Sequence, residues 1–293
     1  MSSILEVFQD TRRQGRAALI SYLLIGLPNV ESTLSLVCAA DEAGTDIFEL
    51  GIPFTDALID GPLLQAAGRV SLRNGVTVRR GLEVVAELRR RGMKKPILMM
   101  SSLNPLLAYG METISDDANR AGVNGFIIPD LPVEAIPAWG ETVRKAGLVN
   151  VSFLAPTTTA ARMRMIVSRA EGFLYCMATT GLTGPRKDVA PALQQFLAQV
   201  RTVTHLPLAV GFGISSPEQV RQVSQWADGV VVGSALIDTI VNSDADQVCR
   251  NLSDAVRRMA DATWRPVARP NPDSKAAGEP PRRLIAHGDS RTQ

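Results

Sequence analysis

Carboxylates are concentrated in one short part of the chain, the stretch DIFELGIPFTDALID at residues 46–60. The four are Asp46, Glu49, Asp56 and Asp60. Glu49 is the penultimate residue of an apolar run typical of a β-strand, where side-chain alternation puts it on the same face as Ile47. The opposite face carries Phe48 and Leu50, and if these pack against helices, Glu49 points inward. Burial there raises the pKa of a carboxyl group and suits it to proton transfer near neutral pH.

Two further aspartates are candidates for the same chemistry. Asp60 lies in a loop long enough to fold back over the strand that carries Glu49, and Asp130 follows another apolar run in IIPDLPVE. Each carboxylate also has a structural alternative. Glu49 would be the ion-pair partner of an arginine, and Asp60 a turn residue before a Gly-Pro pair. Asp130 would cap a helix beginning near Pro132, and Asp46 is interpreted as a strand-start residue.

Other catalytic side chains are scarce. The two histidines, His205 and His287, are expected at the end of the fold opposite the carboxylates and in the C-terminal tail. None of the five lysines falls within or at the end of a candidate strand. A histidine-based metal site, a catalytic triad and a Schiff-base lysine are therefore disfavoured, and no metal is expected.

The composition is that of a globular protein. Of 293 residues 45% are hydrophobic and 20% charged, and the net charge is +2 with no basic stripe, so no nucleic-acid partner is expected. Neither an export signal nor a membrane span is predicted. Three widely spaced cysteines, Cys38, Cys176 and Cys249, lack metal-type spacing and favour a reducing compartment, which predicts a cytoplasmic location.

Apolar runs alternate with segments of helical periodicity along most of the chain. Strands are predicted at 18–24, 46–50, 96–100, 125–129, 150–155, 172–177, 206–211 and 229–233. Helices are predicted at 31–43, 77–90, 116–121, 133–146, 160–168, 190–200, 216–226 and 244–259. Eight such units predict an α/β fold, a single (β/α)8 TIM barrel, over a doubly wound open sheet, whose glycine-rich first turn is missing.

The sequence predicts one folded domain with an extra helix at its N-terminal end and a tail at its C-terminal end. Residues 4–13 are predicted to form an extra N-terminal helix covering the bottom of the barrel. Residues 1–263 would form the catalytic barrel domain. Residues 264–293 are rich in proline, arginine and small side chains, and are predicted to be a flexible, disordered tail because they offer little apolar surface to bury.

Glycine-rich motifs follow the last strands. GFGISS and VVVGSAL place Gly213, Gly233 and Ser234 at the ends of strands seven and eight, where barrels of this type commonly bind phosphate through backbone amides. The loop after strand six, ATTGLTGPRKD, carries Gly181 and Gly184 and is interpreted as a lid. Ordinary strand ends and an ordinary flexible connection are the structural alternatives.

Five motifs together resemble the tryptophan synthase α-subunit family across residues 4–259. They are FELGIPFTDALIDGPLLQAA, GFIIPDLPVE, YCMATTGLTGPR, VGFGISSPEQV and VVVGSAL. The resemblance implies a lyase that cleaves indole-3-glycerol phosphate into indole and glyceraldehyde 3-phosphate. It implies that Glu49 transfers protons at indole C3 and the glycerol hydroxyl, and that Asp60 contacts the indole N–H.

The resemblance also implies a set of substrate-binding residues. Its phosphate contacts correspond to Gly184, Phe212, Gly213, Gly233 and Ser234. Thr183 corresponds to a lid threonine, Tyr175 to a tyrosine of the active site, and Tyr22 to an aromatic residue on strand one. No cofactor is implied for this chain, since pyridoxal phosphate would belong to a β-subunit partner in an αββα assembly.

The chain departs from the family pattern at several positions. Leu27, Ala57 and Thr179 replace family residues in or near the surface that communicates with the β-subunit. Ser102 and Leu103 stand where aromatic residues shape the indole pocket. Three hypotheses stay open. The first is a lyase with a β partner. The second is a stand-alone lyase, or a specialised paralogue acting on a related indole or aryl glycerol phosphate, and the third is a weakly active chain that activates a partner.

Overall fold

Eight parallel strands close into a barrel in the computed structural model, which describes residues 3–57, 59–178 and 190–265. Each strand pairs with the next along the chain, and the eighth pairs with the first. The strands are β1 Ala18–Leu24, β2 Ile47–Gly51, β3 Ile97–Met100, β4 Gly125–Ile127, β5 Val149–Leu154, β6 Leu174–Met177, β7 Leu208–Gly211 and β8 Gly229–Val232. The predicted (β/α)8 barrel is confirmed, and the open-sheet alternative is wrong.

Twelve helices belong to the described part of the chain. They are α1 Ile4–Arg13, α2 Val30–Glu42, α3 Pro62–Arg73, α4 Val78–Arg90, α5 Leu103–Tyr109, α6 Met111–Ala121, α7 Ile136–Lys145, α8 Ala160–Val167, α9 Ala190–Arg201, α10 Pro217–Val223, α11 Ser234–Val241 and α12 Val248–Ala262. Three of them, α3, α5 and α11, were not predicted. The helix predicted at 116–121 begins five residues earlier, at Met111.

Strand register sorts the side chains into two cores. Ile20 lies opposite Ile47 and Tyr22 lies opposite Glu49, so equivalent positions of neighbouring strands share the inner face. The inner core holds Ala18, Ile20, Ile47, Leu98, Ile127, Val151, Phe173, Tyr175, Ala209 and Val231. Phe48 and Leu50 belong to the outer core between the sheet and the helices. The predicted inward direction of Glu49 follows from this alternation.

The N-terminal helix closes the bottom of the barrel, as predicted. A capping box between Ser3 and Glu6 starts α1. The helix places Ile4 and Phe8 in the inner core, where the Phe8 ring lies 5.5 Å from that of Phe173. This end of the barrel is therefore packed with apolar side chains, which leaves the carboxyl ends of the strands as its open end.

Asp46 is a structural residue at the same end. Its carboxylate accepts two hydrogen bonds from Arg16, at 2.6 and 2.8 Å, and one from the backbone N–H of Leu19 at 2.8 Å. It therefore ties the start of β2 to the start of β1, which agrees with its interpretation as a strand-start residue.

The described structure ends at Arg265. Trp264 pairs with Arg16 in an isolated bridge, and the Arg265 guanidinium donates to the carbonyls of Ser224 and Ala227. The predicted tail beyond these contacts lies outside the described residues, and the domain boundary after residue 263 stays a prediction. Across the described ranges, no helix is long and apolar enough to cross a membrane.

Candidate active site

Two adjoining cavities open at the carboxyl ends of the strands. The inner cavity is lined by residues that include Glu49, Tyr175, Phe212, Gly213, Val231, Gly233 and Ser234. The outer cavity is lined by residues that include Asp56, Ala57, Ser102 and Asp130. Tyr22, Ile59, Asp60, Leu64 and Met100 line both. These five residues therefore form the boundary between the two cavities.

Glu49 lies on β2 at the floor of the inner cavity. Its side chain is 1% exposed, and its Oε2 atom has no hydrogen-bond partner among the described residues. The structural alternative of an ion pair with arginine is not found in the described ranges. Burial, assisted by the charge of Asp60, raises the pKa of Glu49 to about 8. Such a carboxyl group is protonated near neutral pH and can act as a general acid.

Asp60 lies in the loop between β2 and α3. Gly61, not Asp60, is the N-cap of α3, so Asp60 is not the helix cap. Its backbone is held by a hydrogen bond from its N–H to the Ala57 carbonyl and by one from Gln65 Nε2 to its own carbonyl. Burial raises the pKa of Asp60 to about 6, which leaves it mostly ionised at neutral pH. The inner cavity thus combines a neutral carboxylic acid with a carboxylate.

Two tyrosines extend over the strand ends beside these groups. A Cβ atom built at Gly51 would lie 2.4 Å from the Tyr22 hydroxyl, and one built at Gly211 would lie 2.3 Å from the Tyr175 hydroxyl. Tyr22 pairs with Glu49, and Gly51 lies two residues after Glu49 in the same strand. Tyr175 likewise pairs with Ala209, and Gly211 lies two residues after Ala209. Glycine is required at both positions because any side chain would occupy the space of the phenol.

The glycine motifs meet in the inner cavity. Phe212 follows β7 with φ 71°, a left-handed conformation that is strained for a bulky residue, and Gly213 follows with φ 86°. Gly233 is the N-cap of α11 without a side-chain hydrogen bond, and Ser234 is the first helical residue. Backbone N–H groups at a helix N-terminus favour an anion. The structure brings these four residues together, and their role in phosphate binding stays a prediction.

The remaining predicted site residues fall in the loop after β6. Thr183 and Gly184, with Thr179 and Gly181, lie outside the described residues.

Asp130 has a capping role different from the one predicted. Its carboxylate accepts a hydrogen bond of 2.8 Å from the backbone N–H of Leu103, the first residue of α5. The helix predicted to start near Pro132 begins only at Ile136, so the expected cap of that helix is wrong. Asp130 therefore fixes α5 against the loop after β4 at the edge of the outer cavity.

The departures from the family pattern occupy different environments. Ala57 and Ser102 line the outer cavity. Leu103 packs against the outer core, outside the lining of both cavities. Leu27 is 3% exposed, so it cannot itself form part of a contact surface.

Sequence reasoning missed part of the apolar wall between the cavities. Met100 ends β3 on the inner face, Leu64 lies in the first turn of α3, and Ile59 precedes Asp60. The position of Met100 at a strand end was the available signal. Leu64 was missed because α3 was not predicted.

Metal-binding residues do not gather at this site. Among the residues that the structure describes, no group of three or more His, Cys, Asp or Glu side chains is arranged to hold a metal ion.

The fold and the clustered side chains define the class of protein, an enzyme with a (β/α)8 barrel. Its ionisable groups lie at the carboxyl ends of the strands, where enzymes of this fold have their active sites. The family model described as "Tryptophan synthase alpha chain" matches residues 8–264. The chain belongs to the tryptophan synthase alpha chain family.

Individual relatives agree with this assignment. The tryptophan synthase alpha chain of Chloroflexus aggregans is 44% identical over 265 residues, covering 90% of this chain and 99% of the relative. That of a Roseiflexus species is 44% identical over 259 residues, covering 88% and 99%.

Two solved structures of tryptophan synthase chains have the same fold. Tryptophan synthase subunit alpha from Legionella pneumophila is similar with a TM-score of 0.83 at 32% identity, covering 90% of this chain and 98% of that chain. A chain of Mycobacterium tuberculosis tryptophan synthase is similar with a TM-score of 0.82 at 33% identity, covering 90% and 99%.

Proposed function

We propose that the chain is a lyase that cleaves indole-3-glycerol phosphate into indole and glyceraldehyde 3-phosphate, as the α-subunit of tryptophan synthase in tryptophan biosynthesis. The observation that carries the proposal is that Glu49 and Asp60 line the same cavity with different pKa values. Burial raises the pKa of Glu49 to about 8 and that of Asp60 to about 6. Two carboxyl groups with separated pKa values can take the acid and the base role at the same pH.

The two groups divide the reaction between them. Glu49, protonated at neutral pH, gives its proton to indole C3, and the ionised Asp60 accepts a hydrogen bond from the ring N–H and stabilises the positive charge that develops. The Glu49 carboxylate then removes the proton of the glycerol hydroxyl next to the ring. The carbon–carbon bond breaks, its electrons return to the ring, and indole and the aldehyde leave.

The substrate phosphate is assigned to the part of the inner cavity lined by the glycine motifs after β7 and β8. Its proposed contacts among the described residues are the backbone amides at Phe212, Gly213, Gly233 and Ser234, with the Ser234 hydroxyl. Thr183 and Gly184 are proposed to complete the site. With the phosphate held there, the ring lies between Tyr22, Tyr175 and Met100, and its C3 atom is directed to Glu49. Holding both ends of the substrate supplies the orientation that the proton transfers require.

A β-subunit is the proposed partner, and pyridoxal phosphate belongs to that subunit. The similarity to a chain of M. tuberculosis tryptophan synthase supports the partner. No cofactor is proposed for the α chain. A cytoplasmic location is part of the proposal, in keeping with the free thiols of Cys38, Cys176 and Cys249.

Release of indole from indole-3-glycerol phosphate tests this function. We expect the purified chain to release indole by itself, and faster when a tryptophan synthase β-subunit is added. An unchanged rate with the β-subunit would support the stand-alone lyase instead. No indole under either condition would contradict the proposed function.

A further inference from the structure

The Tyr22 hydroxyl occupies a special position next to Glu49. Tyr22 and Glu49 are direct neighbours in the β1–β2 ladder and share the inner face. The phenol extends past Glu49 to the end of β2, where its oxygen lies against Gly51. Because Tyr22 lines both cavities, its hydroxyl is at the point where the substrate would pass from one to the other.

A buried acceptor without a partner lies beside a residue that can donate. Glu49 Oε2 is buried and accepts no hydrogen bond within the described ranges. Tyr22, at the paired position of the neighbouring strand, carries a hydroxyl group. A buried carboxylate oxygen without a donor is costly once the group is ionised. A hydrogen bond to this oxygen is weak while Glu49 is protonated and becomes stronger when Glu49 is ionised.

The ionisable groups around Glu49 are few. Asp60 faces it from the loop after β2, Tyr22 from β1 and Tyr175 from β6, whereas β3 contributes the apolar Leu98 and Met100. No lysine, arginine or histidine lines either cavity in the described part of the chain. Burial, Asp60 and Glu49 all raise the pKa of Tyr22 well above its usual value, so its phenol keeps its proton and can donate it in a hydrogen bond.

On the basis of the proposed function, we propose that Tyr22 is a positioning residue whose hydroxyl donates a hydrogen bond to the carboxylate of Glu49 whenever Glu49 is ionised, as it is once it has protonated the substrate. The proton that moves to indole C3 comes from Glu49, and the phenol keeps its own. The bond is strongest with the charged carboxylate, so it stabilises the state that follows proton transfer more than the state before it.

Tyr175 is a weaker candidate for this role. Its ring stacks on Phe153 at 4.7 Å and contacts the edge of Phe212 at 5.6 Å, and its hydroxyl lies at the end of β7 over Gly211. Its partner in the ladder is Ala209 and not Glu49. Tyr22 is thus the tyrosine whose position in the sheet is paired with that of Glu49.

Replacement of the hydroxyl alone tests the inference. In the full chain, Tyr22→Phe is expected to lower kcat for indole release by roughly ten- to a hundred-fold, with KM nearly unchanged. The pKa that limits kcat on the basic side is expected to rise, because the Glu49 carboxylate loses a donor. The matched control is Tyr109→Phe, which removes a hydroxyl bound to Asp117 at 2.7 Å outside both cavities and is expected to match the wild type.

A second readout does not depend on activity. The Glu49 carboxyl group is titrated by ¹³C NMR in the wild type and in Tyr22→Phe, with its signal assigned by Glu49→Gln. A higher pKa for Glu49 in Tyr22→Phe supports the inference. An unchanged pKa, or a wild-type kcat and pH profile in Tyr22→Phe, would overturn it. Absence of indole release by the wild type would contradict the proposed function, and the titration would then decide the Tyr22 contact alone.

Discussion

Glu49 is the residue at which stability and catalysis conflict. Its carboxyl group is 1% exposed, and within the described ranges Oε2 receives no hydrogen bond. A structural role would have placed an arginine or a backbone N–H next to this oxygen, as the fold does for Asp46. The site instead leaves Glu49 free to exchange protons with a ligand. Burial without a partner destabilises the ionised form of Glu49.

This conflict predicts a pH-dependent stability. The pKa of Glu49 is raised to about 8 from an ordinary 4.5, so the folded state holds a proton that the unfolded chain loses. The stabilisation from that proton is complete below about pH 4.5 and is lost as the pH rises through about 8. In wild type we expect this loss to be on the order of a few kcal/mol in unfolding free energy.

Urea unfolding at pH 5 and pH 8.5 checks the prediction. Glu49→Gln is expected to lose less stability than the wild type between the two pH values, because it has no proton to release. Glu83→Gln, at an exposed position of α4, is the matched control and is expected to follow the wild type. Equal losses of stability in wild type and Glu49→Gln would show that burial does not perturb this carboxyl group.

At the level of the elements, pairs of strands position the two phenols. Tyr22 on β1 needs Gly51 at the end of β2, and Tyr175 on β6 needs Gly211 at the end of β7. The glycines are thus part of the site although neither has a side chain. Their role follows from the strand register. Each glycine lies two residues after the residue that pairs with the tyrosine, and therefore on the same face of the sheet.

Gly51→Ala tests this arrangement. The new methyl group would meet the Tyr22 hydroxyl at 2.4 Å, so we expect a loss of about 1–3 kcal/mol in unfolding free energy together with slower indole release. Gly68→Ala, in α3, is the stability control, since its methyl group would meet nothing within 4 Å. It is expected to stabilise the protein by about 0.5–1 kcal/mol. Thermal or urea unfolding that ranks the two variants in the opposite order would contradict the account.

Strands were easier to predict from the sequence than the helices that complete the site. All eight strands lie within two residues of the predicted bounds at their starts and ends, because short apolar runs between helical segments have few other structures available. Helices α3, α5 and α11 were missed, and α5 and α11 begin only three and two residues after the preceding strands end. For α3, proline at the first helical position was a usable signal that was not recognised.

The site was predictable where its residues sit at strand ends. Glu49 and Tyr175 lie on strands, and Gly213 and Gly233 lie within two residues of strand ends, so their meeting in one cavity follows from barrel closure. The shape of the outer cavity was not predictable. Its lining combines the loop with Ala57, Ser102 after β3 and Asp130 after β4, and their arrangement depends on contacts distant in sequence, such as Asp130 with Leu103.

The whole molecule directs its chemistry to one end of the barrel. Helix α1 and the Arg16–Asp46 pair fill the bottom, and the two carboxyl groups with raised pKa values share the cavity at the top. The account requires Asp60 ionised and Glu49 protonated in the same molecule. With pKa values of about 6 and about 8, that combination is most populated between these two values.

The pH dependence of indole release tests this central claim most directly. We measure kcat/KM for indole-3-glycerol phosphate from pH 5 to pH 9.5 in wild type, Glu49→Gln and Asp60→Asn. The predicted profile is bell-shaped, falling below about pH 6 as Asp60 gains a proton and above about pH 8 as Glu49 loses one. Both variants are expected to be slower by roughly 10²–10⁴-fold. Wild-type turnover in Glu49→Gln, or a flat profile across this range, would contradict the account.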